Sequence, residues 1–316
     1  MKKPLIVLTG PTAVGKTKLS IALARALSGE IISADSMQVY RHMDIGSAKI
    51  TREEMGGVPH HLVDVLEPEE DFHIVLFQKL AKEAMAGIYD RGHIPILVGG
   101  TGFYIQAVTR DIDFTQAKQE EDCRRELELL AREKGKEYLH GLLAQVDPAS
   151  AGEIHENNVK RVIRALEFYR QNGRPISSHN QEQRERRSPY ELAYFVLNAP
   201  RDLLYRRIDA RVEEMLSMGL VDEVRQLRDR GLRRGMVSMQ GLGYKEILDY
   251  LEGECSLEEA VRILKRDTRH FAKRQLTWFR REPEVTWIQK EEFDFREEEI
   301  LEYMKQVCRE KGILDC

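Results

Sequence analysis

Leu5-Ile6-Val7-Leu8-Thr9-Gly10-Pro11-Thr12-Ala13-Val14-Gly15-Lys16-Thr17 is the stretch that decides the fold. A short apolar run reads as a strand, and Gly10 to Thr17 satisfies the phosphate-loop pattern G-x-x-x-x-G-K-[ST]. The stretch Lys18 to Leu27 then reads as a helix, so the pattern stands in its expected strand–loop–helix context. Glycines let the backbone wrap an anion, and the loop and helix N–H groups point inward at it. Lys16 adds a mobile positive charge, and the Thr17 hydroxyl can ligate Mg²⁺. Gly10, Pro11, Thr12, Ala13, Val14, Gly15, Lys16 and Thr17 are therefore the expected phosphate or diphosphate site. The loop alone leaves open whether that phosphate reacts or departs.

Outward from the loop, strand and helix signals alternate. Glu30 to Ala34 reads as a strand ending at Asp35-Ser36, and His61 to Val65 as a short one. Phe72 to Asp90 has helical periodicity, and Ile94 to Val98 runs into the tight loop Gly99-Gly100-Thr101-Gly102. Such alternation predicts an α/β fold: a P-loop NTPase-like parallel sheet with helices on both faces, and ligands beyond the strand carboxyl ends. The phosphate loop, Asp35 and Thr101 all fall at such ends, which predicts one shared cleft. From Phe114 to Gln171 strand signals disappear, and helices are expected over Glu120–Lys134, Glu137–Gln145 and Asn157–Tyr169. We expect Asp147-Pro148-Ala149 to be a loop and Asn172 to Ser188 a polar connection, before a strand over Ala193–Leu197. A helix pair follows from Asp202 to Arg230 with a break near Gly219, and a solvated acidic helix after Glu291. The expected domains are a core of residues 1–113 and 172–316 and an all-helical insertion of residues 114–171.

Composition narrows the class. Of 316 residues, 42% are hydrophobic and 32% charged, as in a soluble globular chain. No apolar run approaches membrane-spanning length, and the start leads into a strand rather than a signal peptide. Cys123, Cys255, Cys308 and Cys316 are scattered without a C-x-x-C pair, which fits reduced thiols in the cytoplasm rather than a disulfide framework or zinc site. His60, His61, His73 and His155 lack ligand spacing and read as structural. The formal net charge of −4 argues against indiscriminate nucleic-acid binding.

Local charge is different. Lys160 and Arg164 share a helix face with Arg161 beside them. Arg262, Arg266, Arg269, Lys273 and Arg280 fall within one arc at 100° per residue, opposite Val261, Leu264, Phe271 and Trp278. Acidic residues are nearly absent from that arc, Asp267 alone interrupting the segment, so a polyanion such as a shaped nucleic acid competes with a plain amphipathic surface helix.

The phosphate loop is followed by Asp35-Ser36-Met37-Gln38-Val39-Tyr40, Met43 to Lys49, Val98 to Tyr104, Arg161 to Glu167, Gly243 to Glu246 and Thr268 to Trp278. In order and spacing, from Leu5 to about Trp287, this set resembles the bacterial tRNA dimethylallyltransferases, also called tRNA isopentenyltransferases. The resemblance implies transfer of a dimethylallyl group from dimethylallyl diphosphate to N6 of the adenosine 3′ of the anticodon, in tRNAs reading codons that start with U. It implies Mg²⁺ with the diphosphate, a tRNA anticodon stem-loop held between core and insertion, and a flipped-out base. A monomer is expected. Glu156-Asn157-Asn158 departs from the family's Pro-Asn-Asp-like turn, and Ser47 replaces a common Thr.

An adenine amino nitrogen becomes strongly acidic as its new C–N bond forms, so a nearby carboxylate can take the proton. Asp35 is the candidate base; a Walker B-type metal aspartate is the other role open to it. Ser36 and Gln38 can hold an adenine edge or satisfy their own loop. Lys16, Mg²⁺ and the loop amides would stabilise the leaving diphosphate. Thr101 could donate to it or simply belong to a tight turn. By resemblance Arg211 grips the diphosphate, Arg207 being a weaker candidate. Asp35, Ser36, Met37, Gln38 and Thr101 would meet the tRNA, as would Lys160, Arg161, Val162, Ile163 and Arg164. So would Gln240, Gly241, Leu242, Gly243, Tyr244 and Lys245, with Tyr244 stacking on a base. Arg269, Lys273 and Arg274 are further phosphate contacts. The competing readings are a P-loop kinase of a small metabolite, with ATP in the loop, and an adenylate isopentenyltransferase.

Overall fold

The computed structural model describes residues 2–114 and 121–314; Glu120 and Cys316, named above, lie outside them. The chain runs β1 (Lys3–Thr9), α1 (Lys16–Ala26), β2 (Gly29–Ala34), α2 (Arg52–Met55), β3 (His60–His61), α3 (Ile74–Asp90), β4 (Ile94–Gly99) and α4 (Gly102–Thr109). The helices α5 (Glu121–Lys134), α6 (Lys136–Val146), α7 (Pro148–Glu153), α8 (Val159–Asn172) and α9 (Ile176–Glu185) follow. Then come β5 (Tyr190–Asn198), α10 (Arg201–Ser217), α11 (Leu220–Asp229), α12 (Tyr244–Leu251), α13 (Leu257–Phe279), β6 (Thr286–Gln289) and α14 (Glu297–Glu310). Two units result: one of residues 1–109 and 189–316, the other of residues 110–188.

In the first unit the described strands form one parallel sheet in the order β3-β2-β4-β1-β5-β6. The central strands bury both faces, as a parallel sheet between helices must. Leu5 and Val7 of β1 join a core with α3, α4, α12 and α13. Ile6 and Leu8, the alternate residues, join a second core with α1 and α14 on the other face. The expected strand His61–Val65 is only His60–His61, because Leu62 and Asp64 have φ of 63° and 55°, outside the extended region. α3 starts at Ile74 rather than Phe72, since the His73 side chain accepts from Leu76 N and caps it.

In the second unit Leu127, Leu139, Leu143, Val162, Ile163 and Leu166 form a core of their own. Asp147-Pro148-Ala149 is not a loop: Asp147 caps Ser150 N, and Pro148 takes the first helical position of α7. The supposed polar connection 172–188 carries α9. Asp147 is 1% exposed and caps this helix too, accepting from Ser177 N at 3.0 Å and Ser177 Oγ at 2.6 Å. One buried carboxylate thus fixes two helix starts.

Candidate functional site

Parallel pairing sets β2, β4 and β1 side by side with their carboxyl ends together. The register aligns Ala34 with Gly99 and Gly99 with Thr9. Asp35, the Gly99–Gly102 turn and the phosphate loop therefore leave neighbouring strands at one level, about 4.8 Å apart per strand. Thr101 N donates to the Ala34 carbonyl at 3.2 Å, tying the Thr101 turn to the residue before Asp35. A Cβ on Gly99 would lie 2.3 Å from that carbonyl oxygen, so glycine is what allows the approach.

The phosphate loop wraps with Gly10 at φ 144° and Gly15 at φ 91°; a Cβ on Gly10 would also lie 2.4 Å from Leu197 O. Lys16 Nζ donates to the carbonyls of Gly10 and Pro11 at 3.0 and 2.9 Å. Burial pulls the Lys16 ammonium down to about 8, Arg211 adding to the effect and Asp35 opposing it. The Arg211 guanidinium is lowered by burial and supported chiefly by Asp35. Lys16, Arg211 and Asp35 thus act on one another electrostatically. Arg207 lies over the Phe295 ring, 5.9 Å from its centroid.

Asp35 Oδ1 accepts from Met37 N at 2.8 Å and Gln38 N at 3.3 Å, an Asx-type turn that leaves the side chain half-buried. Gln38 Nε2 donates to Ala48 O at 3.2 Å, so in this conformation it satisfies its own loop. Ser36 is half-buried beside it. Met37 packs on Gly241, where a Cβ would lie 2.5 Å from the Met37 sulfur. The loops around Asp35 and Gln240–Lys245 therefore meet.

Tyr244 overturns one expectation. It is fully buried and its hydroxyl donates to Glu223 Oε1 at 2.8 Å, so its ring is no stacking platform. Glu223 also accepts from the amides of Asp44, Ile45 and Gly46 at 2.9, 2.8 and 3.0 Å. Ser47 N donates to the Tyr244 hydroxyl at 3.1 Å. Lys245 lies 3.2 Å from Glu246 and 3.7 Å from Asp267. In the second unit Lys160 and Arg161 are exposed and Arg164 half-buried, near Glu167 at 3.5 Å. Val162 and Ile163 are 1% and 3% exposed; they pack the core and offer no surface to RNA.

The long α13 also differs from its sequence reading. Its cationic arc has acidic partners: Arg262 with Glu259, Arg266 with Asp267, and Arg269 with Asp209 of α10 at 2.8 Å. Its buried seam is Ala260, Leu264, Ala272, Gln275 and Phe279, with Phe271 and Trp278 only half-buried. Lys273 and Arg274 are exposed. Two residues that sequence reasoning missed reach the phosphate loop. Gln275 Oε1 accepts from Thr12 N at 2.9 Å, and Lys290 Nζ donates to Val14 O at 3.4 Å. The signal for Gln275 was its place on the apolar seam of α13, three residues after Ala272 and four before Phe279.

Sheet order, glycine-wrapped loop and lysine define a phosphate-loop α/β protein with helices on both faces of a parallel sheet. Residues 38–282 match the family model described as IPP transferase, and residues 3–65 that of isopentenyl transferase. A tRNA dimethylallyltransferase of Lachnoclostridium phytofermentans is 60% identical over 312 residues, 99% of each chain. That of Carboxydothermus hydrogenoformans is 48% identical over 313 residues, again 99% of each. The solved tRNA isopentenylpyrophosphate transferase of Bacillus halodurans is 47% identical, with a TM-score of 0.74 over 98% of each chain. A eukaryotic dimethylallyltransferase acting on tRNA is 32% identical, with a TM-score of 0.76, covering 87% of this chain and 69% of that one. The chain belongs to the IPP transferase family.

Proposed function

We propose that this chain transfers the dimethylallyl group of dimethylallyl diphosphate to N6 of the adenosine 3′ of the anticodon. The observation that carries the reading is the convergence of Asp35, Thr101 and the phosphate loop at three neighbouring strand ends. An acid–base group and an anion cradle side by side suit a displacement in which N6 attacks carbon and diphosphate leaves. The C–N bond forms as the C–O bond breaks, Asp35 takes the N6 proton, and the diphosphate keeps the electron pair. Lys16, Arg211 and the loop amides from Ala13 to Thr17 receive the developing negative charge, and Thr101 donates toward it.

Mg²⁺ fits this donor set. Among the described residues no group of three or more His, Cys, Asp or Glu side chains could hold a metal. A cation carried by the diphosphate and the Thr17 hydroxyl, with water completing its shell, needs no such cage. When bound it would neutralise charge on the departing diphosphate.

The tRNA partner fits the exposed cations Lys160 and Arg161 with Arg164, on an all-helical domain that the chain enters after α4 and leaves before β5. Residues 35–38 and 240–245 would approach the anticodon loop, with Tyr244 as the internal support of the second stretch. Among the described residues no helix is long and apolar enough to cross a membrane.

The test is incubation with Mg²⁺, dimethylallyl diphosphate and an unmodified tRNA reading a codon that starts with U, then digestion and mass spectrometry. Prenylated adenosine at the single anticodon-adjacent site is expected. Product on free AMP alone, or consumption of ATP without prenylation, would overturn the reading.

A further inference from the structure

We propose that Gln275 is a positioning residue that sets the phosphate loop in register with the Thr101 turn, so that donor and acceptor meet at the right distance. The inference rests on the functional reading above. Gln275 is 6% exposed. Its Oε1 accepts from Thr12 N in the phosphate loop at 2.9 Å, and its Nε2 donates to Gly100 O in the turn at 3.0 Å. Both partners are backbone groups, one only a donor and the other only an acceptor, so the amide has one satisfactory orientation. Flipping it would oppose two N–H groups on one side and two oxygens on the other.

The turn is shaped for this contact. A Cβ on Gly100 would lie 2.1 Å from Gln275 Nε2, and one on Gly102 would lie 2.2 Å from the Trp278 ring. Two glycines two residues apart thus receive two side chains three apart on α13. The arrangement also commits the Thr12 amide. In an anion loop the backbone N–H groups point at the ligand; here that of Thr12 is held by Gln275 instead. The loop gives up one ligand donor and gains a fixed strut to the turn that carries Thr101. Apolar packing along the helix seam would have needed no amide here, and a glutamine that only filled space would not match both backbone groups.

Two full-length variants separate registration from mere packing. Gln275→Met keeps the length and removes both hydrogen bonds. Gln275→Glu keeps the acceptor for Thr12 N but faces a carboxylate oxygen toward Gly100 O. In Gln275→Met the separate Kd values for inorganic pyrophosphate with Mg²⁺ and for an unmodified anticodon stem-loop should stay within about threefold of the parent; in Gln275→Glu the stem-loop Kd should do so, while the buried carboxylate beside Thr12 weakens pyrophosphate binding. The kcat for prenylation should fall by roughly 10- to 100-fold, as misplaced reacting groups cost. A kcat within about twofold of the parent in either folded variant would overturn the proposal. So would losses of both affinities as large as the loss of kcat, which would make Gln275 a packing residue. Should Gln275→Met not fold, Gln275→Leu, which also removes both hydrogen bonds and adds no charge, decides in its place. Absence of product from the parent chain is a different failure, that of the functional reading itself.

Discussion

Thr101 N donates to the carbonyl oxygen of Ala34 at 3.2 Å, and this single bond joins the two turns that carry Thr101 and Asp35. A carboxylate and a hydroxyl are thereby held by backbone rather than by long side chains. Such placement costs little reorganisation when substrate arrives.

Asp35 has two separable duties: its Oδ1 accepts from Met37 N and Gln38 N, and its carboxylate is the proposed base. Asp35→Asn keeps the accepting oxygen and loses the basicity. We expect kcat to fall by roughly 10²- to 10⁴-fold in Asp35→Asn and Asp35→Ala alike. Stem-loop affinity by filter binding should hold within about twofold in Asp35→Asn. Activity preserved in Asp35→Asn would reduce Asp35 to a turn residue.

The phosphate loop, Asp35 and Thr101 were legible in the sequence because strand, turn and helix signals are local, and parallel pairing then dictates that such turns share an edge. Gln275 was not, since its partner Thr12 lies 263 residues away. α9 was missed for the same reason: its capping carboxylate, Asp147, is 30 residues upstream of Ser177. α7 was legible in principle, because Asp147-Pro148 is a cap followed by a first-turn proline. Tyr244 misled because a tyrosine in a motif expected to meet tRNA invites a stacking role, while its burial is set by Glu223 and Gly46.

Glu223 gathers three amides and the Tyr244 hydroxyl, so Glu223→Ala would orphan four donors in one loop system. We expect a loss of about 3 kcal/mol, read by denaturant unfolding. Tyr244→Phe should cost about 1 kcal/mol and leave stem-loop Kd within twofold. A large loss of affinity with stability unchanged would place the Tyr244 hydroxyl in the RNA interface.

Lys160 and Arg161 point outward while Val162 and Ile163 are committed to the core, so charge and packing separate cleanly on α8. Lys160→Glu with Arg164→Glu should weaken tRNA binding and leave kcat at saturating tRNA nearly unchanged. The slope of log Kd against log salt should drop by about 1 for each phosphate that is no longer neutralised. An unchanged slope would remove these residues from the interface.

Glu30 lies far from this chemistry, at the amino end of β2. Arg91 binds it through two hydrogen bonds of 2.7 Å, and His61 and His93 each approach to 2.7 Å. These bonds, Arg91 first, hold its carboxyl down near 2 against the burial that would raise it. A depressed carboxyl contributes stability that is fully present above its unfolded value, near 4.5, and is lost as pH falls toward 2. The parent should therefore lose about 3 kcal/mol across that window on this account, and Glu30→Gln should show a flatter acid limb. Equal limbs in pH-dependent urea melts would contradict it.

Lys16 gives the site its own pH dependence. Its ammonium titrates near 8, lowered by burial and by Arg211, and only the charged form attracts an anion. In the free protein, proton loss above about 8 therefore competes with binding. The apparent Kd for inorganic pyrophosphate should rise about tenfold per pH unit there and flatten below it. The bound anion favours the ammonium, so binding near pH 8 should take up a proton, seen as an enthalpy that depends on buffer ionisation. Lys16→Arg keeps its charge through this range, so its Kd should be weaker but level between pH 7.5 and 8.5 by isothermal titration calorimetry, an interval bracketing about 8 in which pyrophosphate changes its own charge little. A parent profile as flat as that of Lys16→Arg would mean that Lys16 stays charged, and that the loop's attraction for diphosphate owes nothing to its titration.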